Sequence, residues 1–324
     1  MKFLFFTDTH IKTNNPSSRI DDYPTTLKKK LTEIAEIGER EKVDYYLHGG
    51  DLFDRPDISI RTVKEYVSIF KNFHKPIYMI SGNHDIFGHN PKTIDRTIMS
   101  LLSVLDVFHL IDSDDPIILN KNDLRVQVSG SPYHYNIDSS DKKSYHPERL
   151  EDIDYHILLI HSLLLKNPFL ESIQHSLIEE IQDPNIDVVL AGHYHSGFKE
   201  TKYKNSLFFN PGSVVRISNS QPEVERIPKV LILNLSKDRI DYHYVSLKSA
   251  KPGLEVLTSK TNEAKLRQEN LENFKVLMQQ TSNVNSYDIK DILLNFSKTK
   301  KISRTVIDMA FERLAKAEME NENT

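Results

Sequence analysis

Carboxylates and imidazoles recur along the chain in short clusters: Asp8 and His10 in "TDTH", Asp51 and Asp54 in "GGDLFD", Asn83, His84 and Asp85 in "GNHD", the lone His161 in "IHS", and His193 with His195 in "AGHYHSG". Such side chains suit divalent ions like manganese, iron or zinc, and a carboxylate can bridge two of them. Taken singly, each cluster also has a plain structural explanation. An Asp after Gly makes a turn or caps a helix, "GNHD" can be an Asx-type turn, and a strand-end histidine is commonly satisfied by backbone. His193 and His195 are the stronger pair, because residues two apart on an extended segment point the same way. The case for one site is joint: every cluster follows a short apolar run.

Two divalent ions bring four positive charges, which Asp8, Asp51 and a hydroxide reduce to about plus one, the other ligands being neutral. A weakly positive centre attracts a phosphate ester. It would also bring the pKa of a water there from about 15.7 toward neutrality, making hydroxide available for in-line attack on phosphorus.

The elements that must position these residues are short strands. "FLFF", "DYYL", "PIYMI", "RVQV", "HILLI" and "DVVLA" each end in a polar or glycine-rich turn, and their near-continuous apolar character suits strands covered on both faces. Between the early runs lie helical stretches. "TTLKKKLTEIAEIGEREK" places Leu27, Leu31, Ile34 and Ala35 at helical spacing, and "IRTVKEYVSIFKNF" and "RTIMSLLSVLDVF" show similar stripes. Alternating strands and helices imply a layered α/β core whose sites lie at the strand ends. From about Ser206 the pattern becomes strands with little helix, "SLFFN", "KVLILNL" and "IDYHYVSL", which suggests a second sheet layered on the first.

A polar, Lys-rich stretch with a Pro-Gly break marks a boundary near residue 250. Beyond it, Ile289, Ile292, Leu293 and Phe296 form one helical stripe, and Val306, Met309, Ala310, Leu314 and Ala317 another. The expected organisation is a first domain over 1–250, a linker over 251–285, and a helix pair over 286–324.

With 324 residues, 38% of them apolar, the chain can bury a sizeable core. Its apolar runs are too short to span a bilayer, and the N-terminal stretch turns polar too early for a signal peptide, so the reading is a cytoplasmic protein with no membrane partner. There are no cysteines, which excludes disulfides and thiolate metal sites, while 14 histidines supply imidazole ligands. The formal charge of −4 leaves no overall basic footprint, so a nucleic-acid substrate would need a local positive field, metal ions or a partner.

"DTH", "GD", "GNHD", His161 and "GHYH", in that order, resemble the full signature of the calcineurin-like metallophosphoesterases. The resemblance implies a four-layer α/β/β/α sandwich with two metals, one held by Asp8, His10, Asp51 and His195, the second by Asp51, Asn83, His161 and His193. Asp51 would be the bridge. His84 would be catalytic, facing the leaving group rather than binding metal, and Asp54 would orient it, with Asp85 as the competing partner.

Within that superfamily the chain is most similar to the Mre11/SbcD nucleases, whose resemblance rests on "GDLFDRPDIS", "GSPYHY" and "NPGSVVR", the last two looking like segments that line the substrate cleft. It implies a manganese-dependent DNA exonuclease or endonuclease of repair and recombination. The partners implied are DNA, a second copy packed through "IRTVKEYVSIF" and "DRTIMSLLSVL", and a Rad50/SbcC-like coiled-coil ATPase docked on the final helix pair. The resemblance implies that 251–285, if not merely a linker, is a reduced capping region, and the small size and reduced cap suit a phage or mobile-element member, working at the nucleoid of a bacterial or infected cell. Two other readings share the fold: a phosphatase or cyclic-nucleotide phosphodiesterase for small substrates, and a scaffold without catalysis. The presence of all seven ligands and His84 argues against the scaffold.

Overall fold

The computed structural model describes residues 1–139, 141–170 and 173–258. In chain order these form β1 (Lys2–Phe6), α1 (Tyr23–Glu41), β2 (Tyr45–His48), α2 (Ile60–Phe70), β3 (Ile77–Met79), α3 (Ile98–Val104) and β4 (His109–Leu110). There follow β5 (Ile117–Lys121), β6 (Leu124–Ser131), β7 (Tyr155–Ser162), β8 (Leu164–Leu165), β9 (Ser176–Leu177) and β10 (Val188–His193). The last described elements are β11 (Phe198–Tyr203), β12 (Ser206–Asn210), α4 (Gln221–Glu225), β13 (Lys229–Leu235), β14 (Ile240–Ser246) and α5 (Gly253–Val256).

Two mixed sheets stack face to face, in the orders β14-β13-β1-β2-β3-β4 and β11-β12-β10-β7-β6-β5. The period of two along each strand explains the layering. Leu4 and Phe6 of β1 face α1 and α2, whereas Phe3 and Phe5 join Val128, Leu159, Leu190 and Phe209 between the sheets. Leu158, Ile160, Val189 and Ala191 point the other way, into a third cluster on the far side of the second sheet. Each such fully buried side chain contributes about 1.5–3 kcal/mol by leaving water.

The mixed α/β sandwich is the expected class, with two differences in its build. The strands after residue 210 do not form the second sheet: β13 pairs antiparallel with β1, Phe3 opposite Leu233, and β14 follows it. The second sheet is instead built from the earlier runs, with β6, β7, β10 and β12 parallel to one another and β5 and β11 antiparallel at the two edges. And the layer outside that sheet is, among the described residues, coil with the short β8–β9 ladder and a single 3-10 turn at Lys143–Tyr145, rather than helix. Its apolar residues, such as Ile137, Tyr145, Ile178 and Ile181, reach the sheet from loops.

α1 begins at Asp22, whose carboxylate accepts from Thr25 N at 3.1 Å, and it buries Leu27, Leu31, Ile34 and Ala35. The chain stays attached to the first sheet's domain as far as Thr258, whose N–H donates to Ser18 O at 2.8 Å. The linker or cap proposed for 251–285 lies outside the described residues from 259 onward, and so does the helix pair at 286–324.

Candidate metal centre

The C-terminal ends of β1, β2 and β3 in one sheet and of β7 and β10 in the other deliver all the expected ligands to one edge of the sandwich. Backbone bonds lock the loops together. Asp8 N donates to Gly50 O at 3.1 Å and His10 N to Asp51 O at 3.0 Å. Four of these residues adopt left-handed backbone: Asp8 (φ 54°), His10 (φ 45°), Asp51 (φ 55°) and His193 (φ 75°). For residues with a Cβ that conformation is strained, and it persists where the surroundings over-determine it.

Three groups of donors emerge, two of which share the Asp51 carboxylate, the third being His10, Asp54 and His84. Asp8, His10, Asp51 and His195 form the first; Asp51, His161 and His193 form the second. In the first, His10 Nε2 stands 3.0 Å from His195 Nε2 and 3.6 Å from Asp51 Oδ2, and His195 Nε2 stands 3.6 Å from Asp8 Oδ1. In the second, His161 Nε2 is 3.4 Å from Asp51 Oδ2 and 3.2 Å from Asn83 Oδ1. Tautomers follow from the outer partners. His161 Nδ1 donates to Gly49 O at 2.7 Å, so Nε2 is the nitrogen turned to the centre.

The electrostatics match a site built for cations. Burial disfavours the charge of Asp51, yet the His161 and His10 imidazoles hold its carboxyl well below the usual range. Burial likewise opposes a charged His161, and Asp51 overrides it, lifting that imidazole to about 9. Burial raises Asp8 and lowers His10 and His193, the last to about 3. A proton on His161 thus stands where a divalent ion would neutralise Asp51. Oxygen and imidazole donors within a few ångströms, with no thiolate, fit such an ion.

Space is equally restricted. A Cβ at Gly82 would lie 2.1 Å from Asp51 Oδ1, and one at Gly50, whose φ is +95°, would lie 2.4 Å from His161 Nδ1. These glycines allow the loops to approach the ligands.

Residues 1–197 match the calcineurin-like phosphoesterase family. The chain belongs to that family. As a phosphoesterase of this kind it is 26% identical over 299 residues to the double-strand break repair protein MRE11 of Encephalitozoon cuniculi, covering 78% of this chain and 48% of that one. It is 25% identical over 239 residues to the DNA double-strand break repair protein Mre11 of Methanocaldococcus jannaschii, covering 69% and 59% respectively. The chain therefore spans about half to three-fifths of the length of these relatives. Among solved structures, a dimetal phosphatase from Danio rerio shares the fold with a TM-score of 0.50 at 11% identity, over 76% of this chain and 99% of that one.

His84 lies at the rim of this phosphoesterase's centre, its ring 4.8 Å from that of His10. The Asp54 carboxylate was the expected partner for its imidazole, and the structure corrects this: His84 Nδ1 donates to the main-chain carbonyl of Asp54 at 2.9 Å. The carboxylate instead pairs with Lys12 Nζ at 2.8 Å, while its other oxygen stands 3.8 Å from His10 Nδ1. Asp85 does bond its own turn, accepting from Gly82 N at 2.9 Å, and also from Phe53 N at 2.9 Å. Burial and the neighbouring Asp51 push the Asp85 carboxyl up to about 7.

Three contributors were not among the expected site residues. His48 is buried, accepts from Gly50 N at 3.2 Å and donates from Nε2 to Thr9 Oγ1 at 2.7 Å, tying the first two ligand loops. Its only signal was a histidine next to "GGD". Thr7 Oγ1 donates to Asp8 Oδ2 at 2.8 Å. Tyr133, within "GSPYHY", sets its ring 6.0 Å from that of His193 and 6.3 Å from that of His161. "NPGSVVR", expected to line a cleft, is instead buried from Ser213 to Arg216 behind the Asp8 and His195 loops.

Proposed function

We propose that the chain is a two-metal-dependent DNA nuclease, the phosphoesterase subunit of a DNA repair and recombination complex. The observation that carries this reading is the shared position of Asp51, within 3.6 Å of imidazoles from two donor groups. Asp8, His10, Asp51 and His195 would hold one ion and Asp51, Asn83, His161 and His193 the other, with manganese as the proposed metal. Bound there, the ions supply a hydroxide nucleophile at neutral pH and offset charge on the phosphoryl group.

The chain's own residues do the rest. Asp51 stays ionised between the two groups, and the His161 Nδ1 bond to Gly49 O keeps its Nε2 lone pair toward the centre once that proton is displaced. Because Asp54 O can only accept, it fixes one proton on His84 Nδ1 and orients the ring, leaving Nε2 as the nitrogen that would carry the transferable proton. His84 Nε2 then has a proton to give to the departing sugar oxygen. Tyr133 walls the opposite side beside His161 and His193.

DNA is proposed as substrate because the chain is similar, over most of its length, to double-strand break repair proteins. The proposed partners are a second copy of the chain and a Rad50/SbcC-like ATPase engaged by residues 286–324. The apolar side chains that α2 and α3 leave exposed, Ile60, Leu101 and Val104, support pairing with that second copy. Among the described residues no helix is long and apolar enough to cross a membrane, in keeping with work on DNA in the cytoplasm.

The test pairs two substrates. Protein loaded with manganese is expected to degrade linear duplex DNA, and His84→Ala to slow that by about 10²–10⁴-fold with manganese still bound. Rapid turnover of p-nitrophenyl phosphate without attack on DNA would favour a small-substrate phosphatase and sink the nuclease reading. Activity undiminished in His84→Ala would remove its catalytic role.

A further inference from the structure

Behind the centre, the irregular segment from Ser213 to Ile217 has an unusual pattern of bonding. Its donors face the ligand loops. Ser213 N donates to His195 O at 2.9 Å, Ser213 Oγ to Asp8 O at 2.8 Å, and Val214 N to Thr7 O at 3.1 Å. Its carbonyls face the other way, and each of the five in succession accepts from a side chain far off in sequence or across a turn. Arg226 Nη1 donates to Ser213 O at 2.6 Å, Lys30 Nζ to Val214 O at 2.8 Å, and Arg226 Nη2 to Val215 O. Arg19 Nη1 donates to Arg216 O at 3.0 Å and Ser18 Oγ to Ile217 O at 2.7 Å.

Among these groups Lys30 is the telling one. It sits on α1 at 2% exposure, and no carboxylate among the described residues forms an ion pair with it. Burial and the nearby Arg19, Arg216 and Arg226 push its amine well below the usual lysine range. An apolar side chain of similar volume would fill the space without that cost. What the amine supplies is a donor for Val214 O, at the middle of a segment with no strand partner of its own. Arg226 is held in turn by Glu223, whose Oε2 accepts from Nη2 at 2.9 Å, and so bridges two further carbonyls.

We propose that Lys30 and Arg226 are positioning residues for one of the two metal ions. By gripping the carbonyls of residues 213–215 they hold the segment that joins the Asp8 loop of the first sheet to the His195 loop of the second. They thereby set the 3.6 Å approach of His195 Nε2 to Asp8 Oδ1. The inference rests on the reading that Asp8 and His195 share an ion. The second donor group, Asp51, Asn83, His161 and His193 at the ends of β2, β3, β7 and β10, makes no direct hydrogen bond to residues 213–217, so the grip acts on the first group more than on the second.

The experiment uses the full chain and manganese alone, followed by calorimetric titration and by electron paramagnetic resonance. Wild type is expected to take up two ions and give a spin-coupled pair spectrum. Lys30→Met and Arg226→Gln are each expected to bind one ion as wild type does and the other about tenfold or more weakly, in the range found when groups that orient ligands are removed. At manganese concentrations that fill both sites in wild type, the variants then show the six-line spectrum of isolated ions. Thermal melts of the metal-free proteins check folding. Arg226 lies at the edge of the fold with its side chain 12% exposed, so its variant carries the test if Lys30→Met fails to fold. Folded variants with the wild-type pair spectrum and affinity overturn the proposal, and so does equal weakening of both ions, which would mean general loosening. A wild type that forms no manganese pair overturns the underlying two-metal reading instead.

Discussion

Asp51 Oδ2 is 3.6 Å from His10 Nε2 and 3.4 Å from His161 Nε2, so removal of its charge is felt by both donor groups at once. Asp51→Asn is therefore expected to abolish tight manganese binding at both sites in a calorimetric titration, whereas His193→Ala and His195→Ala should each empty one. Equal loss of both ions in either histidine variant would refute the division. His48 makes a different prediction. Burial depresses its imidazole to about 3, whereas in the unfolded chain it titrates near 6.5. Between those values the unfolded state binds the extra proton, so stability is lost as pH falls from 6.5 toward 3, by about 1.4 kcal/mol per pH unit for this group. Denaturant unfolding of metal-free protein at pH 6.5 and 5.5 should show that slope, smaller by one proton in His48→Gln; identical slopes would show that His48 is not its source.

The elements owe their placement to period and to edges. β1 is apolar on both faces because one faces α1 and α2 and the other faces the second sheet. Its free edge then captures β13, which sequence patterning alone assigned to the other sheet. α1 is a well-marked element, opened by Asp22 and closed at Lys42, whose left-handed backbone (φ 55°, ψ 50°) ends the helix and whose N–H bonds back to Glu39 O at 3.1 Å. A residue with a Cβ pays about 1–2 kcal/mol for that conformation, and glycine does not. Lys42→Gly is accordingly expected to raise the melting temperature and leave manganese affinity unchanged; a lower melting temperature would contradict the assignment of this cap.

At the scale of the whole molecule, the centre is a seam. The first sheet contributes Asp8, His10, Asp51 and Asn83, and the second contributes His161, His193 and His195, so the two must stay in register for these donors to meet. The face formed by α2 and α3 lies on the outside of the first sheet and leaves Ile60 82% and Val104 78% exposed. If that face pairs two copies, Val104→Glu should convert a dimer to a monomer in sedimentation velocity while each monomer still binds manganese. A wild-type monomer, or a variant that stays dimeric, would rule out that interface.

The convergence of these donor side chains was legible in the sequence because each follows a strand, and strand ends in such folds converge whatever the loops do. The same holds for α1, α2 and α3, whose apolar stripes state which face must be covered. Sheet membership was not legible, because an apolar run such as "KVLILNL" suits either sheet, and only the open edge of β1 decides between them. Nor was the partner of His84, since a sequence does not distinguish the carboxylate of Asp54 from its main-chain carbonyl, and the fold brings the carbonyl to Nδ1 while Lys12 takes the carboxylate. The covering of the second sheet by coil, the tie made by His48, and the grip of Lys30 and Arg226 on residues 213–215 likewise join groups distant in the chain. Local pattern encodes what one element must bury; which groups meet when separate elements are packed is decided only by the tertiary structure.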